Sequence, residues 1–130
     1  MPLRCLIVDD NASFREEMRG LLAEQGLDVV GGAESGPEAF QQIAELRPDV
    51  ALIDIDLGEE SGLEVARQLR ERPGQDAVPH VILISTHGEA EYADLIEASS
   101  AIGFLAKIDV SAATIRQMLA AIDGDRVDEP

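Results

Sequence analysis

The chain has 130 residues, enough for one domain with a hydrophobic core and too few for two. It carries 26 acidic and 10 basic residues, a formal net charge of −16, which argues against direct binding to nucleic acid or to an anionic membrane. No apolar run approaches the roughly 18 residues of a membrane span, and no signal peptide precedes Asp9. The single cysteine, Cys5, cannot form an internal disulfide. These features predict one cytoplasmic domain.

Short apolar runs alternate with segments of helical periodicity along the whole chain. The runs have the length of strands, and those at 50–53 and 81–84 show no alternation between apolar and polar residues. Continuous apolar strands are typical of a parallel sheet that is covered on both faces. The five predicted strands are residues 3–8, 27–30, 50–53, 81–84 and 102–106.

Five helices are predicted between and after these strands. Ser13 with Glu16 and Ser35 with Glu38 have the spacing of capping boxes at the starts of the first two. In the first helix, Phe14 belongs to an apolar stripe that it shares with Met18, Leu21 and Leu22. The third helix spans about 62–71, the fourth about 89–98, and the fifth follows a cap at Ser111 and carries apolar residues to Ile122. Residues 123–130 are predicted to be a loose acidic tail outside a domain of residues 1–122.

Five successive strand–helix units predict a flavodoxin-like, doubly wound α/β fold, with a five-stranded parallel sheet and helices on both faces. The expected strand order is 2-1-3-4-5. This order places a crevice at the carboxyl ends of strands 1 and 3, where ligands of such sheets bind.

Polar residues stand at the carboxyl ends of four predicted strands. Neighbouring carboxylates disfavour one another's ionisation, so a group of them at this edge should bind a hard divalent cation such as Mg²⁺. A metal-bound carboxylate beside a lysine is equipped to accept a phosphoryl group, with Asp54 as the nucleophile. The residues at these strand ends are Asp9 and Asp10, Asp54 and Asp56, Ser85 and Thr86, and Lys107.

Several segments of the chain resemble the receiver domain of two-component response regulators. The resemblance covers roughly residues 3–122. Four motifs carry the resemblance. They are the acidic pair at the end of residues 6–10, the phosphoacceptor strand at residues 48–57 followed by residues 62–64, the strand with the switch hydroxyl at residues 81–86, and the strand with the lysine at residues 103–107.

The resemblance implies a role for each matching residue. Asp54 would be phosphorylated by a histidine kinase or phosphotransfer protein. Asp10 would bind Mg²⁺ directly, Asp9 would assist through water, and Asp54 and the carbonyl of Asp56 would complete the metal site. Lys107 and Ser85 would contact phosphoryl oxygens, and the backbone N–H of Thr86 would be a further donor to them. Phe104 would be the switch aromatic.

In this family, the face formed by helix 4, strand 5 and helix 5 transmits the signal and often forms dimers. The resemblance therefore implies a downstream protein partner or an attached output domain, and allows a phosphorylation-dependent homodimer. Because the sequence stops soon after the last helix, a stand-alone regulator is slightly favoured over a receiver from a longer protein. No catalytic activity of its own is expected.

Two residues depart from the family pattern. Ile108 stands where a cis-proline usually follows the lysine, so we expect a trans peptide and a shifted loop after strand 5. Gly58 stands where another proline is usual, which should loosen the loop after strand 3. Glu59 and Glu60 are interpreted as solvated residues of that loop.

Two other functions remain open at this point. The segment 54–57 also resembles the DxDx motif of haloacid-dehalogenase-type phosphatases, although that motif normally lies on the first strand. The missing proline after Lys107 is compatible with a receiver-like interaction domain that is never phosphorylated.

Overall fold

The computed structural model describes residues 3–71, 79–86 and 101–127, with side chains as far as residue 122. Its main sheet has the strand order β2-β1-β3-β4-β5, and all four neighbouring pairs are parallel. The predicted fold class and strand order are confirmed. The strands are β1 (Arg4–Val8), β2 (Asp28–Ala33), β3 (Val50–Asp54), β4 (His80–Ser85) and β5 (Gly103–Ala106).

Each central strand sends alternate side chains to opposite faces of the sheet. On β1, Leu6 and Val8 belong to one hydrophobic cluster, whereas Cys5 and Ile7 belong to the other. Helices cover both faces, which is why the central strands read as continuous apolar runs. Cys5 is fully buried, and burial raises the pKa of its thiol to about 12, so it serves as a small core residue.

Four helices are described: α1 (Ala12–Glu24), α2 (Gly36–Leu46), α3 (Gly62–Glu71) and α4 (Ala112–Val127). Residues of α2 and α3 pack in the first cluster, and residues of α1 and α4 pack in the second. Burying one such aliphatic side chain stabilises the fold by about 1.5–3 kcal/mol. The described helices therefore hold the sheet from both sides.

The first helix begins earlier than predicted. Asn11, in extended conformation, accepts a hydrogen bond from the backbone N–H of Phe14 at 3.1 Å, so Asn11 caps α1 and Ser13 already lies inside the helix. The prediction of a Ser13 cap is wrong, because an asparagine directly after the acidic pair is an equally good cap. The cap of α2 is confirmed, since Glu38 N–H donates to the Ser35 hydroxyl at 3.4 Å.

The last helix is longer than predicted. Ser111 caps it by accepting a hydrogen bond from Thr114 N–H at 3.1 Å, but α4 continues to Val127. Residues 123–127, which the sequence assigns to a loose tail, continue this helix, and no proline interrupts it before Pro130. Residues 128–130 lie outside the described part of the chain. So does the fourth predicted helix at 89–98, together with its share of the predicted signalling face.

The two loops that lack the expected prolines are both described. The Lys107–Ile108 peptide is trans, as predicted, and the chain forms a 3₁₀ turn over Lys107–Asp109. After β3, a two-stranded antiparallel hairpin pairs Asp56–Leu57 with Glu60–Ser61, and Gly58 at its turn has a φ of +64°. In the described ranges, none of the helices is long and apolar enough to cross a bilayer.

Candidate functional site

The centre of the site consists of Asp9, Asp54 and Lys107. Because β1 and β3 are parallel neighbours with Val8 opposite Ile53, the aspartates that follow these two residues lie side by side. Lys107 follows β5, which is separated from β3 by β4. Its Nζ lies 2.8 Å from Asp9 Oδ2 and 3.0 Å from Asp54 Oδ2. The lysine thus joins three strand ends through one ammonium group.

Both central carboxylates are held by the backbone that follows them. Asn11 N–H donates to Asp9 Oδ1 at 2.9 Å, and Asp56 N–H donates to Asp54 Oδ1 at 3.0 Å. In each case the carboxylate bonds the backbone two residues ahead, as aspartates do in Asx turns. The Arg15 guanidinium also donates to the backbone carbonyl of Asp9. The second oxygen of each carboxylate faces Lys107.

Asp10 adds a third carboxylate to this centre. One carboxylate oxygen from each of Asp9, Asp10 and Asp54 lies within 4.8 Å of the others. Asp9 and Asp54 are buried, whereas Asp10 is exposed, and the Gly58 turn lies beside it. Three carboxylates outweigh the single ammonium, and carboxylate oxygens are ligands that Mg²⁺ prefers. The donor set therefore fits a hard divalent cation. The Asp56 carboxylate is exposed and does not belong to this group.

The electrostatics follow from burial and from the ion pairs. Burial raises the pKa of Asp54 to about 6, against the lowering effect of the Asp56 N–H hydrogen bond and of Lys107. Burial by itself would lower the pKa of Lys107, but the hydrogen bonds to Asp9 and Asp54 outweigh it and raise that pKa overall. The ion pairs thus favour the charged form of Lys107, while Asp54 is less acidic than an exposed aspartate.

The other predicted site residues lie on β5 or at the end of β4. Ser85 is buried at the end of β4, opposite Ala106 and directly after Ile84, which pairs with Asp54. Thr86 is exposed and shares a cleft with Lys107. Phe104 is half-buried on β5 and packs against the cluster that contains Leu83.

Two contacts at the site were not foreseen from the sequence. Phe14, predicted only as part of an apolar stripe, places its ring centroid 4.5 Å from Lys107 Nζ. Glu60, interpreted as a solvated residue, accepts a hydrogen bond from Gly36 N–H at 2.9 Å and so links the hairpin after β3 to the start of α2. The only sequence feature that points to the contact between Phe14 and Lys107 is the position of Phe14 shortly after the acidic pair. No sequence feature points to the contact between Glu60 and Gly36, because these residues belong to two separate loops.

A cleft of about 390 Å³ opens beside Lys107. Apolar side chains form rather more than half of its wall, and Ile108 at its rim is 88% exposed. The residues that line it include Phe14, Met18, Leu21, Thr86, Ile108 and Val110.

Comparison with known proteins decides the family. Residues 5–120 match the family model of the response regulator receiver domain. The chain belongs to this family. Receiver domains are signalling modules of two-component systems, so the resemblance seen in the sequence is confirmed.

Three similar proteins illustrate the relationship. The chain is 34% identical, over 97% of its length, to the protein-glutamate methylesterase/protein-glutamine glutaminase 5 of Myxococcus xanthus (strain DK1622). The signal receiver domain of a response regulator, NarL, from Mycobacterium tuberculosis is 32% identical with a TM-score of 0.72, covering 96% of this chain and 97% of that one. The response regulator domain of Thermotoga maritima CheB is 26% identical with a TM-score of 0.71, and the match covers 97% of this chain and 95% of that one.

The matched lengths differ between whole proteins and isolated domains. This chain spans 35% of the Myxococcus xanthus protein but nearly all of the two receiver-domain structures. The similarity therefore concerns the receiver domain.

Proposed function

We propose that this receiver domain accepts a phosphoryl group on Asp54 from a phosphohistidine of a histidine kinase or phosphotransfer protein, in a Mg²⁺-dependent reaction. The observation that carries the proposal is the position of Lys107 Nζ, 3.0 Å from Asp54 and 2.8 Å from Asp9, beside a group of three carboxylates. This arrangement combines a nucleophile, a fixed cation and a set of metal ligands at one strand edge.

In the transfer step, a carboxylate oxygen of Asp54 attacks the phosphorus atom. The new P–O bond forms as the P–N bond to the donor imidazole breaks, and the electron pair of that bond returns to the imidazole nitrogen. Asp54 must be ionised to attack. The Asp56 N–H and the Lys107 ammonium favour the ionised form and orient the carboxylate.

Asp10 and the Asp56 carbonyl would hold the Mg²⁺ ion together with Asp54, while Asp9 assists through water. Asp9 suits the indirect role because Asn11 N–H and Lys107 already engage its two oxygens. When bound, the ion supplies positive charge that offsets the charge of the phosphoryl oxygens.

Lys107 would stabilise a phosphoryl oxygen, with its ion pair to Asp9 still available as an anchor. Ser85 and the Thr86 N–H donate to the other phosphoryl oxygens. In this proposal the Ser85 hydroxyl moves to the phosphoryl group, and Phe104, which lies opposite Leu83 on the neighbouring β5, turns inward as the switch aromatic. The switch then changes the face to which β5 and α4 belong, which a downstream protein, an output domain or a second copy of the chain reads.

The cleft beside Lys107 is the surface that the phosphodonor contacts. A phosphohistidine can reach Asp54 only if the donor covers the mouth of the site, and an 88% exposed Ile108 at the rim offers apolar area for that contact.

Intact mass spectrometry after incubation with acetyl phosphate tests the proposal. The wild type should gain one phosphoryl group in Mg²⁺ but not in EDTA, and the adduct should be labile to hydroxylamine. Asp54→Asn should gain none, while Asp56→Asn, the same change at an exposed position two residues on, should still be modified.

The other functions predict different results. Rapid release of inorganic phosphate from a phosphomonoester would indicate the phosphatase. If neither an adduct nor Mg²⁺-dependent binding of beryllium fluoride is found, the chain is an interaction domain that works without phosphorylation, and the proposal is overturned.

A further inference from the structure

We propose that Phe14 is a positioning residue for Lys107, whose ammonium it holds by a cation–π interaction while a phosphoryl group enters and leaves Asp54. This inference rests on the proposed function, because it concerns the rate of that phosphoryl transfer. It assigns a role in the site to a residue of the first helix that the family resemblance did not single out.

Two carboxylates and an aromatic ring contact the Lys107 ammonium. The two carboxylate oxygens lie 2.8 and 3.0 Å from Nζ, and the centroid of the Phe14 ring lies 4.5 Å from it. A cation within about 6 Å of a ring centroid is attracted by the negative face of the ring. The Lys107 side chain is only 13% exposed, so little water competes for its ammonium.

The ring is fixed by the segment that supplies the acidic pair. Phe14 lies in the first turn of α1, and its N–H donates to the side chain of the cap residue Asn11. Asn11 N–H in turn donates to Asp9 Oδ1. The carboxylate and the ring that contact Lys107 are therefore placed by one hydrogen-bonded segment of the chain.

Phosphorylation changes one of the three contacts of the ammonium. Once Asp54 is esterified, the oxygen that faced Lys107 no longer belongs to a free carboxylate. Asp9 and Phe14 remain, and they hold a long side chain that would otherwise regain rotamer freedom. The ring should therefore matter most while the phosphoryl group is transferred and while it stays on Asp54.

The competing interpretation is that Phe14 only fills space. It packs against the cluster that contains Met18 and Leu22, so its apolar volume matters for the fold in either case. A test must therefore weaken the negative face of the ring and keep its shape.

A series of fluorinated phenylalanines at position 14 distinguishes the cation–π interaction from simple packing, because fluorine weakens the negative face of the ring and changes its shape little. With 4-fluoro-, 3,5-difluoro- and 3,4,5-trifluorophenylalanine, the rate of phosphorylation by acetyl phosphate should fall stepwise, by roughly three- to tenfold in total. Phe14→Leu should match the trifluoro variant. The same series at Phe40, which packs in the other core cluster, should leave the rate unchanged.

A second measurement needs no phosphorylation. In the unmodified protein, the ring current of Phe14 should shift the Hε resonances of Lys107 upfield, and Phe14→Leu should abolish the shift. Unshifted resonances, or a flat rate across the fluorinated series in a wild type that is phosphorylated, overturn the inference alone. A wild type that accepts no phosphoryl group and shows no Mg²⁺-dependent binding of beryllium fluoride overturns the proposed function and the inference with it.

Discussion

A Cβ atom added to Gly62 would clash with the backbone carbonyl oxygen of Asp54. The first residue of α3 thus packs directly against the backbone of the phosphoacceptor, and its N–H donates to the Ile55 carbonyl at 2.7 Å. The obstacle is backbone, which cannot rotate out of the way as a side chain can. The start of α3 and the end of β3 are therefore fitted to each other at this glycine.

Gly62→Ala should destabilise the protein by about 1–3 kcal/mol, the usual cost of overpacking a tight site. Gly20→Ala is the matched control, because nothing lies within 4 Å of a Cβ at Gly20. Gly20 is inside α1, where alanine is the better helix former, so this variant should gain about 0.5–1 kcal/mol. Urea denaturation followed by circular dichroism measures both, and equal stabilities would contradict the predicted clash.

Glu60→Ala should destabilise the protein by about 0.5–1 kcal/mol. Its carboxylate accepts the Gly36 N–H at 2.9 Å, and a negative charge at the start of α2 also interacts favourably with the helix dipole. Glu59→Ala removes the same charge from the neighbouring residue and should be close to neutral. Thermal unfolding at low ionic strength should separate the two variants, and the difference should shrink in high salt.

Asp10→Ala should weaken Mg²⁺ binding at least tenfold, because its carboxylate belongs to the group of oxygens within 4.8 Å of one another. Asp56→Ala removes an equal charge outside that group and keeps the backbone carbonyl, so its affinity should change little. The chain has no tryptophan and one tyrosine. Isothermal titration calorimetry is therefore a better measurement than intrinsic fluorescence. Equal losses in both variants would indicate only a general effect of charge.

In metal-free buffer, Asp54 should make the folded state less stable as the pH rises from about 4 to about 6. Burial raises the folded-state pKa of Asp54 from 3.8 to about 6, so in this window the folded protein binds more protons than the unfolded chain does. Stability then falls with rising pH, by at most about 1.4 kcal/mol per pH unit from this residue.

The comparison of wild type with Asp54→Asn isolates that contribution. Unfolding free energies measured in EDTA across the window should show the wild type losing stability relative to the variant. A difference between the two proteins that stays constant with pH would show that Asp54 titrates at its ordinary value.

The sequence by itself determined the order of the strands of the main sheet and of the described helices, and the residues at the carboxyl edge of the sheet. These follow from local pattern: a strand buried on both faces must be apolar throughout, and chemistry in such a sheet gathers where its strands end. The trans peptide before Ile108 also follows locally, from the cost of a cis bond without proline.

Only the tertiary structure decided which side chains touch. The choice of Asn11 over Ser13 as the cap depends on where the chain leaves β1. The reach of Lys107 from β5 to Asp9, the ring of Phe14 over that lysine and the contact of Glu60 with α2 join residues on different elements. Such contacts are set by strand register, helix position and side-chain length together, and none of these is contained in a local stretch of sequence.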